Sequence, residues 1–265
     1  MSIQHRVKIF ADGADLATMR KLAMDPLVQG FTTNPTLMRQ AGVTDYEAFA
    51  KSVLSIVSGG PVSFEVFADE LDEMEPQALA IAGWGKNVYV KIPITNTKGV
   101  STAPVLHALA RQGVNVNVTA LLTMKQVETA AEALALCRSA CISVFAGRIA
   151  DTGRDPVPVM AAAVEYLARY PQLELIWASP RELLNVLQAA TVGCHIITVT
   201  PELLKKLPLV GKDLAQYSLE TVKMFYEDGQ KAGLSLRVPE TVRAGMAHKR
   251  EKADDQSHPL VETLN

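Results

Sequence analysis

The chain has little cysteine, few aromatic residues and no excess of charge of either sign. Three cysteines among 265 residues, Cys137, Cys141 and Cys194, are too few for a disulfide framework and favour a reducing, cytoplasmic compartment. The formal net charge of −2, without a basic stripe, argues against nucleic acid or an anionic membrane as the main partner. An anionic small-molecule substrate stays compatible with this charge, because its pocket needs only one or two local cations.

Long apolar runs, phosphate-binding loops and metal-binding patterns are also missing. No uninterrupted apolar run approaches ~18 residues, which predicts the absence of a transmembrane helix. The polar start, Met1–Arg6, lacks the apolar core of a signal peptide. No Gly-rich loop of the P-loop or dinucleotide type occurs, and the histidines show no metal-ligand spacing. Cys137 and Cys141 are four residues apart in apolar surroundings, so we expect buried thiols rather than a metal pair.

Short runs rich in β-branched residues alternate with longer segments of helical periodicity. Eight such units in ~200 residues predict parallel strands joined by crossover helices, closed into a (β/α)8 TIM barrel over residues 1–208. A doubly wound open sheet is the main alternative, but it lacks support from a dinucleotide-binding fingerprint and usually has fewer strands. The predicted strands are 7–11, 28–33, 62–67, 87–95, 115–121, 142–147, 173–178 and 196–200.

Two further segments follow the eighth unit. Residues 209–233 contain an amphipathic pattern that predicts an extra helix, packed on the barrel or on a neighbouring subunit. Residues 234–265 form a charged, weakly periodic tail that is either partly disordered or an arm folded on a neighbour. The sequence leaves a homo-oligomer open and does not define its size.

A lysine lies in the middle of the fourth predicted strand, among apolar and β-branched residues. Burying an ammonium group costs several kcal/mol unless it is paired or loses its proton. Desolvation lowers the pKa of a lysine, and a neutral amine attacks carbonyl carbons. Lys91 is therefore the first candidate for a Schiff-base nucleophile. The alternative, which this strand taken alone favours, is a lysine at a strand end that extends to water.

Polar side chains gather at the C-terminal ends of the predicted strands, where a (β/α)8 barrel has its active site. Each residue alone has an ordinary explanation as a turn, a cap or a surface charge. Polar side chains on alternate positions of a barrel strand, however, need partners inside the lumen. The set besides Lys91 is Asp12, Thr33, Asn34, Glu65, Asn117, Thr119, Ser143, Arg148, Ser179 and Arg181.

These groups match the chemistry of Schiff-base cleavage of carbon–carbon bonds. A lysine amine attacks a ketone to form an iminium, which accepts electrons when the neighbouring bond breaks, while a carboxylate moves the protons. Amides and hydroxyls are suited to sugar hydroxyls, and two arginines beside a serine offer a charge-assisted phosphate site. The residues therefore predict an enzyme that acts on an anionic ketose.

Over residues 7–205 the chain also resembles the transaldolase family. Each motif alone is weak, but the ordered set is highly specific. The motifs are Ala11-Asp12-Gly13-Ala14-Asp15, Thr32-Thr33-Asn34-Pro35-Thr36, Val90-Lys91-Ile92-Pro93, Asn117-Val118-Thr119-Ala120-Leu121, Ser143-Val144-Phe145-Ala146-Gly147-Arg148 and Ala178-Ser179-Pro180-Arg181. The resemblance implies a (β/α)8 barrel with the lysine nucleophile on the fourth strand, a transferase of carbohydrate metabolism such as the pentose phosphate pathway, and no metal or organic cofactor.

The resemblance also implies a role for each residue. Lys91 forms the Schiff base with a ketose donor, and Asp12 is the general acid/base. Glu65 and Thr119 position the catalytic water. The implied substrate-binding residues are Thr33, Asn34, Asn117, Ser143 and Phe145 for the sugar, and Arg148, Ser179 and Arg181 for the phosphate.

Two positions bear on the type of reaction. Related fructose-6-phosphate aldolases tend to have Gln and Tyr where this chain has Glu65 and Phe145. A tyrosine there helps protonate the enamine and release dihydroxyacetone, whereas Phe145 cannot. We therefore expect a transaldolase that passes a dihydroxyacetone unit from a ketose phosphate to an aldehyde. The alternatives are an aldolase that releases free dihydroxyacetone and a non-catalytic sugar-phosphate-binding barrel.

Some features depart from the family pattern. The C-terminal tail has no counterpart that we can place, and the Ser143-Val144-Phe145 and Ser179-Pro180-Arg181 motifs differ from the commoner forms. The differences leave room for a donor that bears another anion in place of phosphate. The sequence does not identify the physiological donor or acceptor.

Overall fold

Eight parallel strands close into a barrel in the computed structural model, which describes residues 7–57 and 59–255. Each strand pairs with the next one in sequence, and the last pairs with the first, so the predicted (β/α)8 TIM barrel is confirmed. The strands are β1 (Lys8–Asp12), β2 (Val28–Thr32), β3 (Val62–Glu65), β4 (Val88–Pro93), β5 (Val116–Leu121), β6 (Ala140–Val144), β7 (Leu173–Trp177) and β8 (Ile196–Val199). Residues 1–6, which are expected to lack a signal-peptide core, lie outside the described residues, as do Ser58 and the end of the tail, 256–265.

Helices follow the strands, and those up to residue 204 form the outer layer of the barrel. They are α1 (Leu16–Leu22), α2 (Pro35–Gln40), α3 (Tyr46–Ile56), α4 (Leu71–Ala82), α5 (Ala103–Arg111), α6 (Met124–Ala133), α7 (Ala146–Asp151), α8 (Val157–Leu167), α9 (Leu184–Thr191) and α10 (Pro201–Leu204). A 3-10 turn (Leu207–Leu209) and two more helices, α11 (Leu214–Lys231) and α12 (Glu240–Asp255), come after them in the chain.

The sixth unit differs from its prediction. The sequence extends β6 to residue 147, but the strand ends at Val144 and α7 begins at Ala146. Arg148 therefore lies in a short helix and not at the start of a loop. Periodicity cannot separate a strand from a buried helical turn in so short an apolar run.

Two side-chain caps begin the first helices. The Asp15 side chain accepts a hydrogen bond from the backbone N–H of Thr18 at 2.8 Å and caps α1. Asn34 caps α2 in the same way by accepting from the N–H of Leu37 at 3.0 Å, and Pro35 occupies the first helical position. Each cap satisfies a backbone N–H group in the first turn of its helix, where no intrahelical acceptor exists.

Alternate strand residues form two separate apolar layers. One face of each strand packs against the helices in a large buried core. On the other face, Phe10, Cys141, Ile176 and Ile196 form a smaller cluster in the lumen. Phe10, Cys141 and Ile196 each lie two positions before a polar residue of the same strand, so the lumen has an apolar floor and a polar mouth. Cys137 and Cys141 are buried, as predicted, and so is Cys194.

The chain divides into a compact unit that ends at Pro208 and a second that begins at Leu209. The second unit contains α11 and α12. Asp213 caps α11 by accepting from the N–H of Gln216 at 2.8 Å, and Lys212 pairs with Glu220. Where this unit packs stays a prediction. In the ranges that the structure describes, no helix is both long and apolar enough to cross a bilayer.

Candidate active site

Lys91 is buried in the lumen, with 7% of its surface exposed. Its Nζ donates to the backbone carbonyl of Thr33 at 2.8 Å and to Glu65 Oε2 at 3.1 Å. The interpretation of Lys91 as a lysine that extends to water is therefore wrong. β4 holds the amine at the barrel mouth, where one acceptor comes from the neighbouring strand β3 and the other from the residue that follows β2.

The carboxylate partner is placed by strand register. Glu65 pairs with Lys91, which in turn pairs with Asn117, so three polar residues lie side by side on β3, β4 and β5. The backbone carbonyl of Glu65 accepts from the Tyr46 hydroxyl at 2.9 Å. Glu65 is thus held at both its backbone and its side chain.

Asp12 is the second carboxylate of the lumen. Its Oδ1 accepts from the Thr32 hydroxyl at 2.8 Å, and its Oδ2 accepts from Asn34 Nδ2 at 3.4 Å. Burial raises the pKa of Asp12, and Glu65 raises it further, against the lowering effects of Lys91 and these two hydrogen bonds. Such a carboxyl group is suited to proton transfer, because it takes up a proton more readily than an exposed aspartate.

Asn117 forms the centre of a buried hydrogen-bond network. Its Nδ2 donates to Ser63 Oγ at 3.0 Å, and its Oδ1 accepts from Ser143 Oγ at 2.7 Å. These bonds fix the orientation of the amide on both sides. One N–H and one lone pair of Asn117 stay available for a ligand.

Thr119 has a buried hydroxyl for which the described part of the chain supplies no hydrogen-bond partner. The next residue, Ala120, has a positive φ of 63°, an uncommon conformation for a residue with a Cβ. A buried hydroxyl without a partner is costly, so Thr119 is suited to hold a water or a substrate hydroxyl.

A second group of polar residues lies around β6 and β7. Arg181 donates through Nε to Asp151 Oδ1 at 2.9 Å, pairs through Nη2 with the other oxygen, and donates through Nη1 to Ser179 Oγ at 3.0 Å. The hydrogen bonds from Arg181 hold the pKa of Asp151 below its usual value. The Arg148 guanidinium lies 5.5 Å from the centre of the Phe145 ring. The predicted residues thus form two groups. One surrounds Lys91 in the lumen, and the other, here called the cationic group, consists of Arg148, Ser179 and Arg181.

Five residues of these networks are absent from the predicted set: Thr32, Tyr46, Ser63, Asp151 and Thr198, whose hydroxyl lies 2.5 Å from that of Thr32. Ser63 lies two positions before Glu65, so strand alternation identifies it once Glu65 is chosen. Asp151 lies three positions after Arg148, a helical spacing that becomes visible only when α7 is known. No local signal identifies Thr32 or Thr198. Among the residues with described positions, no three His, Cys, Asp or Glu side chains are arranged to hold a metal ion.

Comparison with known proteins gives a consistent result. The family model described as transaldolase/fructose-6-phosphate aldolase matches residues 9–238. A Rhodospirillum centenum protein named "Probable transaldolase" is 35% identical over 235 residues, which cover 87% of this chain and 94% of that protein. A Listeria monocytogenes protein named "Probable transaldolase 2" is 36% identical, with 78% and 93% covered.

Solved structures support the same fold. The crystal structure of 2,3-dimethylmalate lyase, described as a member of the PEP mutase/isocitrate lyase superfamily, matches with a TM-score of 0.51 and 14% identity. The match covers 95% of this chain and 94% of that chain. At this identity the likeness concerns the fold alone.

Proposed function

Because the chain belongs to the transaldolase/fructose-6-phosphate aldolase family, we propose that it transfers a dihydroxyacetone unit from an anionic ketose to an aldehyde through a Schiff base on Lys91. The observation that carries the proposal is the burial of Lys91 beside Glu65, with a second carboxylate, Asp12, in the same lumen. A lysine for which the lumen supplies a proton acceptor is suited to attack a ketone.

In the first step, Glu65 accepts a proton from the Lys91 ammonium, since Oε2 lies 3.1 Å from Nζ. The free amine attacks the ketone carbon and forms a carbinolamine. In that carbinolamine, one proton has moved from the nitrogen to the former ketone oxygen. The hydroxyl then takes the proton that Glu65 received and leaves as water, which gives the iminium and restores the Glu65 carboxylate. The buried hydroxyl of Thr119, which has no hydrogen-bond partner among the described residues, is suited to hold that water.

In the second step, Asp12 accepts the proton of the hydroxyl on the carbon β to the iminium. The bond between the α and β carbons breaks, its electron pair enters the iminium to form an enamine, and an aldehyde leaves. In the transfer step the enamine attacks the carbon of an incoming aldehyde, which forms a new carbon–carbon bond and restores the iminium. The new hydroxyl takes its proton back from Asp12. Phe145 has no proton to give to the enamine, which favours transfer over release.

Anion binding is proposed for the cationic group. Arg148, Ser179 and Arg181 present charge and hydrogen-bond donors suited to a phosphate or another tetrahedral anion. Asp151 orients Arg181 and also competes with an anion for it. The amides of Asn34 and Asn117 are suited to the sugar hydroxyls.

The decisive experiment is reductive trapping. Borohydride added to the wild-type protein with fructose 6-phosphate should give a stable adduct, which peptide mass spectrometry should assign to Lys91. The Lys91→Met variant should give none. Lys98→Met, which removes a largely exposed lysine, should react like the wild type. An adduct that persists in Lys91→Met would contradict the proposal.

A further inference from the structure

Two threonine hydroxyls connect Asp12 to the last strand of the barrel. Thr32 Oγ1 donates to Asp12 Oδ1 at 2.8 Å and lies 2.5 Å from Thr198 Oγ1. Thr32 is on β2 and Thr198 is on β8, the two neighbours of β1. Their hydrogen bond therefore spans β1 inside the lumen. Both threonines are buried, with 4% and 6% of their surface exposed.

The direction of the two hydrogen bonds follows from proton count. A threonine hydroxyl has one proton to donate. When Asp12 is ionised, the proton of Thr32 is directed to Oδ1, so Thr198 must be the donor to Thr32. Thr198 then donates to Thr32, and Thr32 donates to Asp12. Because both hydrogen bonds point the same way, the first one polarises the Thr32 hydroxyl and strengthens the second.

From this geometry we infer that Thr198 is a positioning residue for Asp12, because it keeps Thr32 as the donor to Oδ1 and leaves Oδ2 to exchange protons with the substrate. The contact of Oδ2 with Asn34 Nδ2 is 3.4 Å, longer than the bond at Oδ1. The substrate part of this inference rests on the proposed function. The hydroxyl chain does not, since its effect on Asp12 can be measured without substrate.

The groups around Asp12 act on its pKa in both directions. Lys91 on β4 favours the carboxylate, whereas Glu65 on β3 and burial disfavour it. Asp15, Glu202 and Lys205 line the cavity that Asp12 also borders. Since hydrogen bonds to the charged form lower the pKa of a carboxyl group, loss of the Thr198 hydroxyl should raise the pKa of Asp12.

The test is a titration of Asp12 by carbon-13 NMR of its carboxyl group, with the resonance assigned from Asp12→Asn. In Thr198→Val the pKa should rise by about half a unit, because a polarising donor is lost but Thr32 stays. In Thr32→Val it should rise by about one unit or more, because a charge-assisted bond is lost. Thr198→Ser keeps the hydroxyl and should titrate like the wild type.

A matched control separates this effect from the loss of any buried hydroxyl. Thr102 is fully buried and donates to the carbonyl of Pro93 at 2.6 Å. Thr102→Val should leave the titration of Asp12 unchanged. If Thr198→Val does not fold, Thr198→Ala removes the same hydroxyl without adding a methyl group in its place.

Two results would overturn the inference. One is an unchanged pKa of Asp12 in the folded Thr198 variant, and the other is a further rise of this pKa when Thr198→Val is added to Thr32→Val.

The acidic limb of the pH profile of kcat/KM should move to higher pH together with the pKa of Asp12. A pKa that rises while this limb stays fixed supports the hydroxyl chain and contradicts the proposed catalytic role of Asp12. A wild type that forms no borohydride adduct on Lys91 contradicts the proposed function and leaves the titration result standing.

Discussion

The Nζ of Lys91 and the Oε2 of Glu65 lie 3.1 Å apart across two neighbouring strands, and both side chains are largely shielded from water. Since β3 and β4 pair in register at these two residues, the contact is set by the backbone and not by a flexible loop. A carboxylate held in this position both compensates the ammonium charge and accepts its proton.

Glu65→Gln should slow the formation of the Schiff base. Glutamine keeps a hydrogen-bond acceptor near Nζ, but it cannot take up the proton of Lys91. We expect the initial rate of adduct trapping to fall about 10²–10⁴-fold, the usual contribution of a positioned acid or base. Glu70→Gln makes the same change in an exposed Lys–Glu pair and should leave the rate unaffected. An unchanged rate in Glu65→Gln would exclude Glu65 as the proton acceptor.

Asp12→Asn should raise the thermal stability of the protein while abolishing transfer. The pKa of Asp12 is raised by burial in the folded state, so the fold binds its proton more tightly than the unfolded chain does. This raised pKa makes Asp12 a cost to stability at neutral pH, and the cost is lost as the pH falls through the folded pKa towards 3.8. Removing the charge should therefore raise Tm at pH 7.

The gain in Tm should shrink as the pH is lowered and should vanish well below pH 3.8, where the carboxyl group is neutral in both the folded and the unfolded state. Calorimetry of both proteins across this range checks the sign. A gain that is independent of pH would show that burial of the Asp12 charge is not its cause.

Phe145→Tyr should increase the release of dihydroxyacetone when no aldehyde acceptor is present. The hydroxyl of tyrosine supplies a proton for the enamine, which phenylalanine lacks. The measurement is the amount of free dihydroxyacetone formed from the donor alone. Phe145→Leu keeps the position apolar and should show no such increase. Equal release by all three proteins would mean that this position does not control the fate of the enamine.

Arg181→Ala should weaken the binding of phosphorylated donors. The loss of charge-assisted hydrogen bonds predicts a rise in KM of about 10–100-fold for fructose 6-phosphate. The KM for unphosphorylated fructose should change little, because that sugar has no anion to bind. Arg154→Ala, which removes an exposed arginine, is the matched control. Equal effects on both donors would place the phosphate elsewhere.

Gly147→Ala should disrupt the cationic group. A Cβ at Gly147 would lie 1.6 Å from the backbone oxygen of Ser179, a distance that no side-chain rotation can relieve. The segment with Ser179 and Arg181 must therefore move, and we expect lower thermal stability together with a higher KM for phosphorylated donors. Gly59→Ala places its Cβ in open space and should be tolerated. A Gly147→Ala protein with wild-type Tm and KM would contradict the close approach.

The order of secondary structure could be predicted from the sequence because it depends on local patterns. Short β-branched runs separated by helical periodicity predict eight parallel strands, and the barrel confirms them. Asp15 and Asn34 are caps of the type expected before a helix. Lys91 could be singled out because a lysine within an apolar strand is locally exceptional.

The contacts of the site depend on residues far apart in the chain and could not be predicted in this way. Lys91 and Glu65 are 26 positions apart, Arg181 and Asp151 are 30 apart, and Thr198 and Thr32 are 166 apart. Strand register decides the first contact, and closure of β8 onto β1 decides the last. The sequence by itself determined which chemical groups the barrel carries and on which strands. Only the tertiary structure decided which of these groups form hydrogen bonds with each other, because a hydrogen bond needs a distance of about 3 Å that sequence separation does not encode.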